Sequence, residues 1–152
     1  MTPASPISGD LADFLRLLNH HGVEFALCGG HAVAYHGYSR LTLDVDLLIL
    51  PSEDNARRLD RALRDFGFGD AGIPVAAFTK EGTAVSLGVQ PNQIDLLTSM
   101  SSQPTAEVIR NSVSAVFGGI PIRVTAKPDL IRAKREAGRP KDLADLHELS
   151  QA

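Results

Sequence analysis

Apolar residues in this chain recur with two periods, which together predict alternating helices and strands. Leu11, Phe14, Leu15 and Leu18 fall at three- and four-residue steps, predicting an amphipathic helix with Ser8 or Asp10 placed to cap it and Gly22 to end it. Phe25–Cys28 is a short apolar run that reads as a buried strand. Asp44-Val45-Asp46-Leu47-Leu48-Ile49-Leu50 reads the same way, being rich in branched residues and too short for an isolated helix. Ala56, Leu59, Ala62, Leu63 and Phe66 return to helical spacing. Residues 67–82 are glycine-rich and loop-like, with a brief strand expected at Val75–Phe78. Ala84–Val89 and Gln93–Leu97 read as strands on either side of the Pro91-Asn92 turn signal. Pro104–Arg110 predicts a short helix. Ser114–Phe117 and Ile120–Val124 predict a hairpin around Gly118-Gly119, and Lys127–Ala137 and Pro140–Leu149 the closing helices.

The strand beginning at Asp44 carries the first candidate chemistry. Alternate side chains share a face of a strand, so Asp44 and Asp46 point the same way. Neighbouring carboxylates repel and raise each other's pKa unless a cation lies between them. Such oxygen pairs suit Mg²⁺, which takes one or two carboxylates and completes its shell with water and phosphates. A bare D-x-D also fits a turn at the start of a strand. Asp95 interrupts a second apolar run, and a carboxylate there is costly unless paired or bound to metal. If the two strands are neighbours, Asp95 completes a cluster of three carboxylates.

Gly29-Gly30 follows the Phe25–Cys28 strand and precedes a short helical segment, His31–His36. Glycines at such a junction let the chain turn sharply and aim backbone N–H groups at an anion, though a tight turn without ligand uses them equally. The pair is neither a dinucleotide fingerprint nor a P-loop. His31 directly follows it and can lie near a phosphate or pack structurally. His31 and His36 are five apart and have no third ligand, which argues against zinc. Arg40 stands between the glycines and Asp44, within reach of a polyphosphate if it is not a plain surface charge.

Composition narrows the class. At 152 residues the chain suits one domain, expected over 10–152 behind a flexible tail at 1–9. A formal net charge of -3 supplies no global field toward nucleic acid. A single cysteine, Cys28, excludes an internal disulfide and a cysteine cluster. No stretch resembles a membrane span or a signal peptide, so a cytoplasmic protein with no membrane partner is expected. The charge is nonetheless uneven: of 15 Lys and Arg, six (Lys127, Arg132, Lys134, Arg135, Arg139 and Lys141) crowd the last helices. A solvated helix face or a site for nucleotide phosphates accounts for them equally.

Taken together, Gly29-Gly30, Asp44-x-Asp46 and the distant Asp95 resemble the nucleotidyltransferase core of the DNA polymerase beta superfamily. Gly29-Gly30-His31-Ala32-Val33 through Arg40-x-Thr42-x-Asp44-Val45-Asp46 is especially similar to its small bacterial members, the AbiEii-type toxins and minimal nucleotidyltransferases. The tail from Leu130 to Asp145 is similar to that group as well. Members commonly have Gly-Ser where this chain has Gly30-His31.

The resemblance implies an α+β fold, a small mixed twisted sheet with helices mainly on one face. It implies transfer of an NMP from an NTP to a hydroxyl acceptor, with two Mg²⁺ ions clamping the attacking and leaving oxygens. Asp44 and Asp46 would bind both ions, and Asp95 would bind one and help deprotonate the acceptor. Gly29, Gly30 and His31 would meet the phosphates, and Lys134, Arg40 and Lys141 would offset their charge. The acceptor could be RNA, protein or a small molecule, and the chain could be the toxin of a toxin–antitoxin pair. The alternative is a non-catalytic nucleotide- or partner-binding module with the same fold. Lys134 is expected at the edge of its helix's buried face, its ammonium reaching into a cleft, so that an alanine variant folds normally.

Overall fold

The computed structural model of the chain describes residues 9–37, 44–68, 73, 75–88 and 93–151. The strands are β1 (Phe25–Cys28), β2 (Asp44–Ile49), β3 (Ala84–Leu87), β4 (Gln93–Leu97), β5 (Val113–Phe117) and β6 (Ile120–Val124). The helices are α1 (Gly9–His20), α2 (Gly29–Tyr35), α3 (Glu53–Phe66), α4 (Thr105–Asn111), α5 (Lys127–Ala137) and α6 (Pro140–Gln151). The six strands form one sheet in the order β3-β4-β2-β1-β6-β5. The pairs β2/β4 and β1/β6 are parallel and the rest antiparallel, so the sheet is mixed and the fold is α+β, as expected.

Strand parity sorts the two faces. Leu27, Leu47 and Leu96 lie in one row and Phe25 and Ile49 in another, all buried in the main core with Phe14, Leu15 and Leu18 of α1 and Leu59 and Leu63 of α3. Most of the helical cover lies on that face. The opposite face is covered more thinly, with Val108 and Ile109 of α4 packing on Ala26, Cys28 and Leu48. The carboxylates lie on this second face.

Asn55, fully buried in the first turn of α3, ties the far ends of β1 and β2 together. Its side chain accepts from Glu24 N at 2.8 Å and donates to Glu24 O at 3.0 Å and Leu50 O at 2.9 Å. Ser52 caps the same helix through Asn55 N. In the hairpin, Gly118 (φ 58°) and Gly119 (φ 83°) supply the two positive φ angles of a type I′ turn.

The expected strand at Val75–Phe78 is instead a 3₁₀ turn over Val75–Thr79. It is pinned by the Thr79 hydroxyl donating to Ala76 O and by Phe78 entering the core, with no strand partner among the described residues. Strand β3 runs to Leu87, after which Gly88 takes φ 74°, and the predicted end at Val89 lies outside the described residues. The expected tail at 1–9 and the Ser8 cap fall almost wholly outside the described residues.

Candidate active site

One row of side chains crosses four strands. Cys28 of β1 is opposite Asp46 of β2, Asp46 is opposite Asp95 of β4, and Asp95 is opposite Ser86 of β3. Residues opposite one another across a sheet share a face, so the parallel pairing of β2 with β4 brings Asp46 and Asp95 side by side. Asp44 lies one row away on the same face, opposite Gln93. The three carboxylates singled out in the sequence therefore converge, and each is partly buried.

The sheet neighbours treat two of these carboxylates differently. Burial raises the Asp46 pKa to about 6, helped by its hydrogen bond to Asp95 and by the negative charges of Asp95 and Asp44, while Lys134 opposes the rise. Burial also works against ionising Asp95, but it is outweighed by Ser86, Gln93 and Asp46, which hold that carboxyl below its ordinary value. The Ser86 hydroxyl donates to Asp95 Oδ1 at 2.7 Å and Gln93 Nε2 donates to the same oxygen at 2.9 Å. Neither partner was singled out in the sequence. In hindsight the signal was strand spacing, since Gln93 is two residues before Asp95 on the same face.

Cys28 closes the row as a core residue. Its thiol is buried, donates to Asp46 O at 3.5 Å, and is pushed well above the usual thiol range by burial and by Asp46. Gly29 and Gly30 open α2 directly after it, where the chain passes from strand to helix. Gly29 has φ +67°, and a Cβ there would lie 2.0 Å from Asp46 Oδ2. Gly30 is buried within the helix. The His31 ring is set edge-on against Phe117 with centroids 5.2 Å apart.

Lys134 is more deeply placed than the helix pattern suggested. It is only 8% exposed, and its ammonium lies 3.1 Å from Asp145 Oδ2 and 3.4 Å from Asp142 Oδ1, both buried on α6. Arg139 forks onto Asp142 from outside, through Nε at 2.6 Å and Nη2 at 3.3 Å. Burial again opposes ionisation of Asp142, and Arg139 and Lys134 overcome it, so its pKa is lowered. Asp142 and Asp145 are three apart on one face of α6, a spacing that could have marked them as partners for the basic tail. Arg132 and Arg135 are exposed, and Lys141 is exposed in the first turn of α6. Arg40 lies outside the described residues.

Among the described residues, no three His, Cys, Asp or Glu side chains form a ready metal cage. Two facing carboxylates with a third nearby do match the sparse set Mg²⁺ usually takes from protein, and a cation there would offset the burial and the neighbouring negative charge that together raise Asp46.

Comparison with known proteins supports the fold. No family model matches the chain, and no curated protein does. Among solved structures it is similar to the crystal structure of an antigenic nucleotidyltransferase-like protein from Paracoccidioides brasiliensis. The TM-score is 0.56 and the identity 17%, over 95% of this chain and 78% of the other. At that identity the likeness concerns architecture, and within the described residues no helix is long and apolar enough to cross a membrane. The chain has a nucleotidyltransferase-like α+β fold.

Proposed function

We propose that the chain is a Mg²⁺-dependent nucleotidyltransferase that moves an NMP from an NTP to a hydroxyl acceptor. The observation that carries this reading is the meeting of Asp46 and Asp95 on paired strands, with Asp44 one row away and the Gly29–Gly30 turn against Asp46. Asp44, Asp46 and Asp95 would hold the metal, which when bound neutralises phosphate charge and lowers the pKa of the attacking hydroxyl. Of the facing pair, Asp95 would be the one to accept the acceptor's proton, as the family resemblance implies. The first turn of α2 would approach the phosphates, with His31 beside it. Exposed Lys141 would add positive charge, as the resemblance also implies for Arg40. Lys134 acts from within, as a buried cation that tempers the negative potential at Asp46.

A second reading, a non-catalytic nucleotide- or partner-binding module, draws on Lys134. Its ammonium is already engaged by Asp142 and Asp145, as a purely structural lysine would be. A calorimetric titration with each NTP, with and without Mg²⁺, tests both. Mg²⁺-dependent binding abolished by Asp46→Asn supports the site, and binding without any turnover supports the second reading. The toxin role and the cytoplasmic location that go with the resemblance belong to the same proposal. Growth arrest on expression, relieved by Asp95→Asn, is the result expected of a toxin.

A further inference from the structure

The sheet edge beside Asp95 carries two polar groups that the proposed chemistry does not use. Ser86 is exposed on the edge strand β3, directly across the ladder from Asp95. Gln93 is on β4 itself, opposite Asp44. Both donate to one oxygen of Asp95, Oδ1, one from the neighbouring strand and one from its own. Two donors fixed on different strands restrict rotation of the carboxyl plane about the Cβ–Cγ bond. A carboxylate that must meet both a cation and an acceptor proton gains from that restriction, because its geometry need not be organised at binding.

We infer that Ser86 and Gln93 are positioning residues that fix the orientation of the Asp95 carboxylate for metal and acceptor. The inference rests on the reading of the carboxylate cluster given above. Hydrogen-bonded partners of metal-binding carboxylates act through the ligand they orient, and their loss typically weakens metal affinity by about 10–100-fold. An exposed serine on an edge strand has little packing to lose. Its removal should therefore register at the site rather than in the fold.

The experiment measures binding of Mn²⁺ alone by electron paramagnetic resonance, with thermal melting in parallel. It compares the wild type with Ser86→Ala, Gln93→Ala, the double variant, Ser86→Thr and Asp95→Asn. Ser86→Ala is expected to weaken Mn²⁺ binding roughly 10-fold with the melting temperature unchanged. The double variant should approach Asp95→Asn, and Ser86→Thr, which keeps the hydroxyl, should restore wild-type affinity. Wild-type Mn²⁺ affinity in the double variant overturns the positioning role and leaves the carboxylate site standing. A wild type that binds neither Mn²⁺ nor Mg²⁺–NTP overturns the site and the positioning role together.

Discussion

Gly29 and Asp46 are packed so closely that no side chain fits between them. A Cβ on Gly29 would lie 2.0 Å from Asp46 Oδ2 and 2.9 Å from its Cγ, and the backbone there has φ +67°. The residue is thus fixed as glycine twice over, by conformation and by contact. Gly29→Ala should cost about 2–4 kcal/mol, from the left-handed backbone and the displaced carboxylate. It should also weaken Mg²⁺–NTP binding in the fraction that remains folded. Urea unfolding and nucleotide titration check the two effects, and an alanine variant with wild-type stability would contradict the packing described.

The raised pKa of Asp46 predicts a pH dependence of stability. The native state holds this proton more tightly than the unfolded chain, whose carboxyl titrates near pH 4. The resulting stabilisation is full below about pH 4 and is lost as pH rises through about 6. Asp46→Asn lacks this loss. In metal-free buffer it should overtake the wild type between pH 4 and 7 and be more stable above by about 1–2 kcal/mol, a figure discounted for solvent screening. Melting curves across that range with chelator present, repeated with Mg²⁺, provide the check. Mg²⁺ should shrink the difference by favouring the charged carboxylate. A difference that does not change with pH would show that Asp46 titrates normally.

Lys134 should prove structural to a degree its helical position did not suggest. Lys134→Ala leaves Asp145 without its buried cation and Asp142 with Arg139 alone. Breaking a buried pair from one side typically costs about 3–5 kcal/mol. The double variant Lys134→Ala, Asp145→Asn should recover much of that. A single variant that melts like the wild type would free the ammonium for a ligand and restore the simpler expectation.

Asn55 gives a control remote from the carboxylates. Asn55→Ala strands Glu24 N and Leu50 O at the end of the strand pair away from Asp44, and should lower stability by roughly 2–4 kcal/mol. Nucleotide affinity of the folded protein should be unaltered, which a titration well below the melting temperature will show.

Strand parity and apolar runs made Asp44, Asp46 and Asp95 legible in the sequence, because a buried strand fixes which way every second residue points. The glycine pair was legible as a strand-to-helix junction. Its reason was not, since the approach of Asp46 to Gly29 is a contact between β2 and α2 that no local pattern encodes. Lys134 was misplaced for a similar cause. The helix period located it at the border of the buried face, but the partners that draw it inward, Asp142 and Asp145, belong to the next helix. Ser86 is an exposed polar residue in a short strand, and only the pairing of β3 with β4 gives it a role. The brief strand expected at Val75–Phe78 failed because a short apolar run has no period of its own, and the burial of Phe78 settled it as a 3₁₀ turn.

The central claim, that the facing carboxylates transfer a nucleotidyl group, is tested most directly by following the label from NTP. The protein is incubated with Mg²⁺ and cell lysate, with the NTP labelled at either the α- or the γ-phosphate. The account predicts that the α-label moves to an acceptor while the γ-label leaves as pyrophosphate, and that Asp46→Asn and Asp95→Asn each abolish the transfer. Transfer that persists in the folded Asp95→Asn variant, or NTP binding with no α-label on any acceptor, would contradict it.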